Sequence, residues 1–284
     1  MLPVELILLL LSPVFLCCVI LEWRFAVLRR QNWYHWRDTL ANATLALLHQ
    51  GADMLALLLL MPFFYWLHQY RLFTIELTAV NLLLAFILQD FLYYWFHRGS
   101  HHIRWFWASH VAHHSSRLMN FSTAFRQSLT YPISGMWLFW LPMILIGYEP
   151  TLVFAVVAVN LAFQFFVHTQ AIGRLGWLEY LFNTPSHHRV HHACNDIYLD
   201  RNFGGVLIIW DRLFGTFVPE QADEPCRYGI TDDFNSTNPL TITFYEWQRM
   251  WREARQTGRQ HSLWQILVKM PAKLKYNPAA KTPE

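Results

Sequence analysis

Nine of the fifteen histidines in this 284-residue chain fall at spacings suited to holding metal. His97 and His101 are four residues apart; His110, His113 and His114 form an H-x-x-H-H run; His188, His191 and His192 repeat it; His168 ends an apolar stretch. On a helix, residues three or four apart share a face, so each run can aim two or three imidazoles one way. A metal ion usually takes three or four protein ligands, so eight or nine converging rings are too many for one ion and suit two. The pattern predicts a dinuclear, all-nitrogen centre. It lacks the H-E-x-x-H of zinc proteases and the glutamate-rich shell of bundle di-iron sites. Neutral imidazole suits iron, zinc, copper or nickel alike. An apolar setting around a redox pair suits oxygen activation against an unactivated C–H bond, which selects iron.

The elements that must position these rings are membrane helices. Hydrophobic residues make up 54% of the chain and charged ones only 14%, the balance of an integral membrane protein. Apolar segments run over about 4–21, 40–66, 77–96, 133–146 and 152–167. The first has Glu5 ahead of it and Arg24, Arg29 and Arg30 behind it, which favours a retained helix over a cleaved signal peptide. The last two are short of the ~20 residues a span needs and read as a re-entrant pair or two short crossings. The fold expected is all-α: about four transmembrane helices, or three and a re-entrant pair, under a helical cap that holds the dimetal site. With the basic loop inside, all four histidine groups land on the cytoplasmic side, and a bacterial inner membrane is favoured over the endoplasmic reticulum. The whole of 1–284 reads as one domain, its catalytic core about 80–220 and an amphipathic surface region at 240–275. Cys17, Cys18, Cys194 and Cys226 are expected as free thiols. The net charge of +3 is spread along loops and the tail, with no nucleic-acid signal.

Around the ligands, Asp90 lies two turns before His97, where a carboxylate in a membrane helix needs a reason. Its expected role is to accept the second ring N–H of a ligating histidine; the alternative is an ion pair with Arg98 or Arg104. Asn160 and Gln164 share a helical face with His168 and join Asp90 as supporting residues. Asn120, Ser122, Arg126 and Gln127 can hydrogen-bond ligands or a substrate headgroup. His102 and His187 point away from their runs, and His35, His49, His68 and His261 lie outside any cluster.

The runs D-F-L-Y-Y-W-F-H-R-G-S-H, W-A-S-H-V-A-H-H-S-S and N-T-P-S-H-H-R-V-H-H resemble the fatty acid hydroxylase and sterol desaturase superfamily over about residues 40–220. F-S-T-A-F-R-Q-S, F-Q-F-F-V-H-T-Q and Y-L-D-R-N-F-G-G-V-L-I-I-W-D-R-L-F-G-T-F are most similar to its ether-lipid-cleaving branch. The resemblance implies two iron ions on His97, His101, His110, His113, His114, His188, His191 and His192, with His168 the ninth ligand, and these histidines as the catalytic set. It implies hydroxylation of a lipid carbon, in that branch the one beside an ether oxygen with tetrahydrobiopterin as reductant. It also brings in Asp200 and Asn202 of D-R-N-F-G-G, without a role.

The function expected is thus a membrane di-iron oxygenase that uses O2 and external electrons to hydroxylate or desaturate a lipid. A sterol or fatty-acid desaturase or hydroxylase of the same superfamily is the nearest alternative. A non-catalytic metal carrier and a zinc-dependent lipid hydrolase are the other classes weighed. A carrier should place its ligands at mid-bilayer on broken helices, whereas these lie beyond helix ends. The chain shows no cytochrome b5 or ferredoxin-like stretch, so a separate electron donor or soluble reductant is expected to dock on the cap.

Overall fold

The computed structural model describes residues 4–257 and 263–268. Among the described residues, three helices are long and apolar enough to cross a membrane: α1 (Val4–Leu28), α2 (Trp36–His68) and α3 (Ala79–His102). Their large side chains face outward, as Leu47, Leu55, Leu58 and Leu59 of α2 and Val80, Leu83 and Leu84 of α3 do. That surface is stable only against lipid. At 1.5 Å per residue, α2 is about 50 Å long and exceeds a hydrocarbon core of about 30 Å. Its first turns therefore project beyond the bilayer, and they are the turns that meet the cap.

The fourth and fifth apolar segments form a hairpin inside the bundle. The descending limb is broken into α5 (Tyr131–Ser134), a 3₁₀ turn and α6 (Leu141–Ile146), with Gly135 left-handed between the first two. At the tip, Leu72 N–H and Phe73 N–H donate to the carbonyls of Leu145 and Ile146. A side chain at Gly147 would strike the Phe73 carbonyl. The tip thus sits at the far end of the bundle, beside the α2–α3 loop. The ascending limb, α7 (Pro150–Phe165), starts at Pro150 behind a Glu149 cap and packs on α1 and α3. It runs parallel to α3: Asn160 bonds Asp90, and one turn on Tyr93 bonds Gln164. Because α7 is covered by protein and not lipid, it need not carry the length or unbroken hydrophobicity of a lipid-facing span.

The cap is made of α4 (Arg104–His114), a 3₁₀ turn over Phe121–Phe125, α8 (Pro185–His192), α9 (Ile209–Leu213), α10 (Pro239–Thr257) and α11 (Leu263–Val268). Among the described residues β pairing is limited to two isolated bridges, Phe182 with Leu207 and Ala193 with Tyr228. In the region expected to be an amphipathic surface segment, part of the apolar side of α10 packs inward while Leu240, Phe244, Trp251 and Trp264 are exposed. Ile242 and Met250 of α10 are buried, Trp247 Nε1 donates to Thr130 Oγ1 at 3.0 Å, and Arg104 of α4 pairs with Glu246 at 2.7 Å and with Glu253. Residues 258–262 and 269–275 of that region lie outside the described residues. All four cysteines are free thiols.

Two buried charges fasten the bundle to the cap. Glu22 of α1 accepts from Tyr34 Oη at 2.6 Å, from Phe121 N–H at 2.7 Å and from Thr169. Arg126 donates to Asp38 at 3.2 Å and Asn42 at 2.9 Å on α2, to Ser115 at 2.9 Å and to the carbonyls of Ala112 and Ser236. It is buried and all three of its guanidinium nitrogens bond within the protein, so in place of the expected headgroup contact it joins α2 to the cap. Arg126→Ala leaves buried acceptors unpaired, and removing one partner of a buried pair costs roughly 3 kcal/mol or more. Thermal unfolding of the purified variant in detergent is expected to show a clear drop in midpoint; a parental midpoint would mean that the guanidinium does not join α2 to the cap.

Candidate metal centre

The end of α3, all of α4, the residue three beyond α7, and α8 converge beneath the bundle. They bring the nine histidines into two groups. His97, His101, His110, His114 and His191 form the first; His113, His168, His188 and His192 form the second. Within each, the ligand atoms lie within 4.8 Å of one another, and every ring is buried. Each H-x-x-H-H run is shared out by helical geometry. Residues four apart are offset by about 40° and residues three apart by about 60° the other way. So on α4 His110 and His114 serve the first group and His113 the second, while on α8 His188 and His192 serve the second and His191 the first. Thr184 and Pro185 begin α8 by fixing its entry, Pro185 standing where a missing N–H costs nothing.

The Nε2 atoms face one another. In the first group His97 lies 3.1 Å from His110, His110 3.0 Å from His114, and His114 3.2 Å from His191. In the second, His113 lies 3.1 Å from His168, His168 2.9 Å from His188, and His188 3.1 Å from His192. Main-chain carbonyls settle where the protons are. His97 Nδ1 is 2.8 Å from Phe203 O, His168 Nδ1 2.7 Å from Gln164 O, His191 Nδ1 2.9 Å from Arg201 O, and His113 Nδ1 3.2 Å from Arg126 O. A carbonyl only accepts, so each Nδ1 carries the hydrogen and each Nε2 presents a bare lone pair. His113 and His168 then point lone pairs at each other with no proton to share. His101 Nε2 is likewise buried without a partner. A cation between the rings resolves both. Metal–nitrogen bonds of about 2.0–2.1 Å set ligands at right angles about 2.9 Å apart, and tetrahedral ones about 3.4 Å apart. The spacings of 2.9–3.2 Å lie in the range between those values, so each group of rings could hold a metal ion.

Burial pushes the pKa of His110, His113, His114, His188, His191 and His192 well below the ordinary imidazole value, and neighbouring rings push it the same way. Burial likewise lowers His168 to about 4. All are therefore neutral near pH 7, the form that binds metal.

The supporting residues take other places than their spacing implied. Asp90 meets no histidine and neither arginine. Its Oδ1 accepts from Val206 N–H and Asn160 Nδ2, both at 2.8 Å, and its Oδ2 from Leu207 N–H at 3.0 Å and Trp210 Nε1 at 2.9 Å. The side chains of Asn160 and Gln164 continue that network, Gln164 Nε2 donating to Asn160 at 2.6 Å and Tyr93 donating to Gln164 at 2.7 Å. Only the main-chain carbonyl of Gln164 reaches a ligand. Gln127 lies 3.2 Å from His113 Nδ1, whereas Asn120 and Ser122 bond each other, with Asn120 also donating to the Trp33 carbonyl and Ser122 accepting from Asn42 of α2. Asp200 approaches His101 Nδ1 at 3.5 Å, and Asn202 ties Val218 to the carbonyl of His187. His102 bonds Arg98 O, and His187 is buried facing Glu179.

Sequence reasoning passed over Tyr131, whose hydroxyl lies 2.6 Å from His110 Nδ1, and the carbonyls of Arg201 and Phe203. Carbonyls have no residue type to read; the glycines of N-F-G-G were the nearest signal. A cavity of about 140 Å³ opens on the cap side of the first group, bounded by His101, Trp107, His114, His191, Asp200 and Tyr245.

Residues 82–216, which hold all nine histidines, match the fatty acid hydroxylase family. The chain is similar to an individual enzyme type as well. It is 42% identical over 206 residues to the alkylglycerol monooxygenase of Danio rerio, covering 71% of this chain and 45% of that one. It is 41% identical over 214 residues to the Homo sapiens alkylglycerol monooxygenase, covering 75% and 47%. With the ornithine lipid hydroxylase of Rhizobium tropici it shares 30% identity over 154 residues, covering 54% and 46%. The chain spans about half the length of these curated relatives. No solved structure matches it.

Two outcomes follow from the geometry. His168→Ala is expected to lower bound metal from two ions per chain toward one, with His35→Ala unchanged; elemental analysis of the purified variants decides, and two ions in the His168 variant would remove that ring from the ligand set. For the metal-free protein, the buried ring of His168 titrates near 4 when folded and near 6.5 when unfolded. Between those values the unfolded chain binds more protons, so stability falls as pH drops below about 6.5, with the contribution of His168 fully lost near 4. A melting midpoint that stays flat across that window in chelator would contradict the neutral-ring assignment.

Proposed function

We propose that this chain is a membrane-embedded di-iron oxygenase that hydroxylates a C–H bond of a lipid. The observation that carries the reading is the pair of all-imidazole groups, of five and four histidines, at the cap end of a lipid-facing bundle within a fatty acid hydroxylase domain. Iron is favoured over zinc because a structural or catalytic zinc is content with four ligands in a tetrahedron, while the first group offers five imidazoles. A carrier is disfavoured because the ligands lie past the helix ends, not at mid-bilayer.

Two irons held there supply the oxidising power: lipid C–H, O2, two electrons and two protons give lipid C–OH and water. The protein's own part is arrangement. Carbonyls of Phe203, Arg201, Gln164 and Arg126 hold four ligand rings in the metal-binding tautomer, and Tyr131 orients a fifth. The buried faces of α3 and α7 keep water from the groups on the membrane side, from which a lipid tail arrives. The cap-side cavity leaves a polar approach for a headgroup or an external electron donor, tetrahydrobiopterin being the reductant that the resemblance implies.

Hydroxylation is favoured over desaturation because the relatives are a monooxygenase of alkylglycerols and a lipid hydroxylase. An ether lipid is the first substrate to test. Arg29 and Arg30 in the α1–α2 turn lie at the histidine end of the bundle, which supports a cytoplasmic site. The animal relatives give no support to a bacterial inner membrane and weigh toward the endoplasmic reticulum.

Protein purified in detergent without oxygen is expected to contain close to two irons per chain. It is expected to convert an alkylglycerol in the presence of O2 and a reduced pterin, with an ornithine lipid as the comparison substrate. Zinc that iron cannot replace, or iron-loaded protein inert toward both lipids, would overturn the reading.

A further inference from the structure

The stretch 200–211, singled out in the sequence by D-R-N-F-G-G and W-D-R but left without a role, bonds ring nitrogens of the first metal group, while it reaches the helix of the second only through the Asn202 bond to the His187 carbonyl. Three histidines of the first group hang on three of its residues: His101 on the Asp200 carboxylate, His191 on the Arg201 carbonyl and His97 on the Phe203 carbonyl. The second group leans elsewhere. His168 bonds the carbonyl of Gln164 in the helix that carries it, and His113 bonds that of Arg126.

The loop is fixed by two buried carboxylates. Asp211 accepts from Phe203 N–H at 2.7 Å and Thr216 Oγ1 at 2.6 Å on one oxygen, and from Gly204 N–H at 2.7 Å on the other. Asp90 clamps the residues that follow, taking the N–H groups of Val206 and Leu207 and the Trp210 indole. The chain passes so close that a side chain at Gly205 would come within 2.9 Å of Asp90 Oδ1, and one at Gly204 within 3.0 Å of Asp211 Oδ2. Asp200 and Asn202 adopt left-handed backbone at φ 57° and 55°, a conformation these two residue types tolerate better than most. Thus the Phe203 peptide is gripped on both sides: Asp211 holds its N–H, and its carbonyl holds His97.

We propose that Asp211 is a positioning residue for the first metal group, acting through the Phe203 peptide on His97, so that the two groups can be loaded and emptied separately. This inference rests on the reading of the histidine groups as a two-metal centre. Asparagine cannot replace Asp211, because both carboxylate oxygens face donors and an amide must turn its NH2 against one of them. The loop then loosens on the side of His97, His101 and His191, while the carbonyls of Gln164 and Arg126 are untouched.

Cobalt(II) titration of the metal-free protein in detergent, followed by its visible absorption, tests the inference. Wild type is expected to take two ions; a failure to do so overturns the two-metal reading and the inference with it. Asp211→Asn is expected to keep one ion at wild-type affinity and bind the other at least tenfold more weakly, the lower end of what loss of a ligand's supporting partner costs. Thr216→Val, which leaves the carboxylate and both backbone bonds in place, is expected to weaken the same ion by a few-fold and decides the matter should Asp211→Asn not fold. To assign the ion, the titration is repeated in a His192→Ala background, where the affinity that remains belongs to the first group and should drop on adding either change. Wild type with two ions and folded variants that either bind both unchanged or lose both together would overturn the role of Asp211 and leave the two-metal reading standing.

Discussion

The structure around the site answers to one constraint: nine buried imidazoles gathered in two groups, with ring nitrogens of neighbouring histidines about 3 Å apart and all those of a group within 4.8 Å. Left alone, such an arrangement repels itself, and protonating any ring inside it is costly because burial and the other rings both oppose the charge. A cation held in each group would reverse the balance. That requires each ring to show the correct nitrogen, which is why the outer nitrogens are tied to groups that can only accept.

Those anchors explain the architecture above and around the site. Main-chain carbonyls are useful partners only where the backbone is free of regular hydrogen bonding or where a helix ends. His168 uses the carbonyl one turn back at the end of α7, and the other anchored rings reach into loops. Loops in turn must be held, and the protein holds them with charge it has buried: Asp90 and Asp211 for residues 203–210, Glu22 and Arg126 for the segments that join bundle and cap. A carboxylate inside a membrane helix is thereby used to secure the loop that secures a ligand, one step further from the metal than its spacing to His97 implied.

The hairpin ending in α7 shows a related economy. By placing one helix inside three lipid-facing ones, the fold gains a scaffold whose length and composition answer to protein neighbours. Asn160 and Gln164 can then sit at depth, bonded to Asp90 and Tyr93, without facing lipid. The amphipathic α10 behaves in the same way at the other end: part of its apolar side covers α4, and through Arg104, Glu246 and Glu253 the terminal part of the domain bears on the helix that carries three ligands.

The sequence by itself determined the ligand types, their helical faces and the apolar segments, because these depend on residue identity and on the fixed periodicity of a helix. It also carried the family resemblance, which lies in those same residues. It did not determine how the H-x-x-H-H runs divide between two groups, since a division needs the crossing of α4 and α8. Nor did it disclose that carbonyls of Arg201 and Phe203 hold ligands, or that Asp90, Asp211 and Arg126 hold loops. Backbone groups are the same at every residue, and a buried charge declares only that it has a partner. Which partner it has is decided by segments far apart in the chain that meet only when the helices pack.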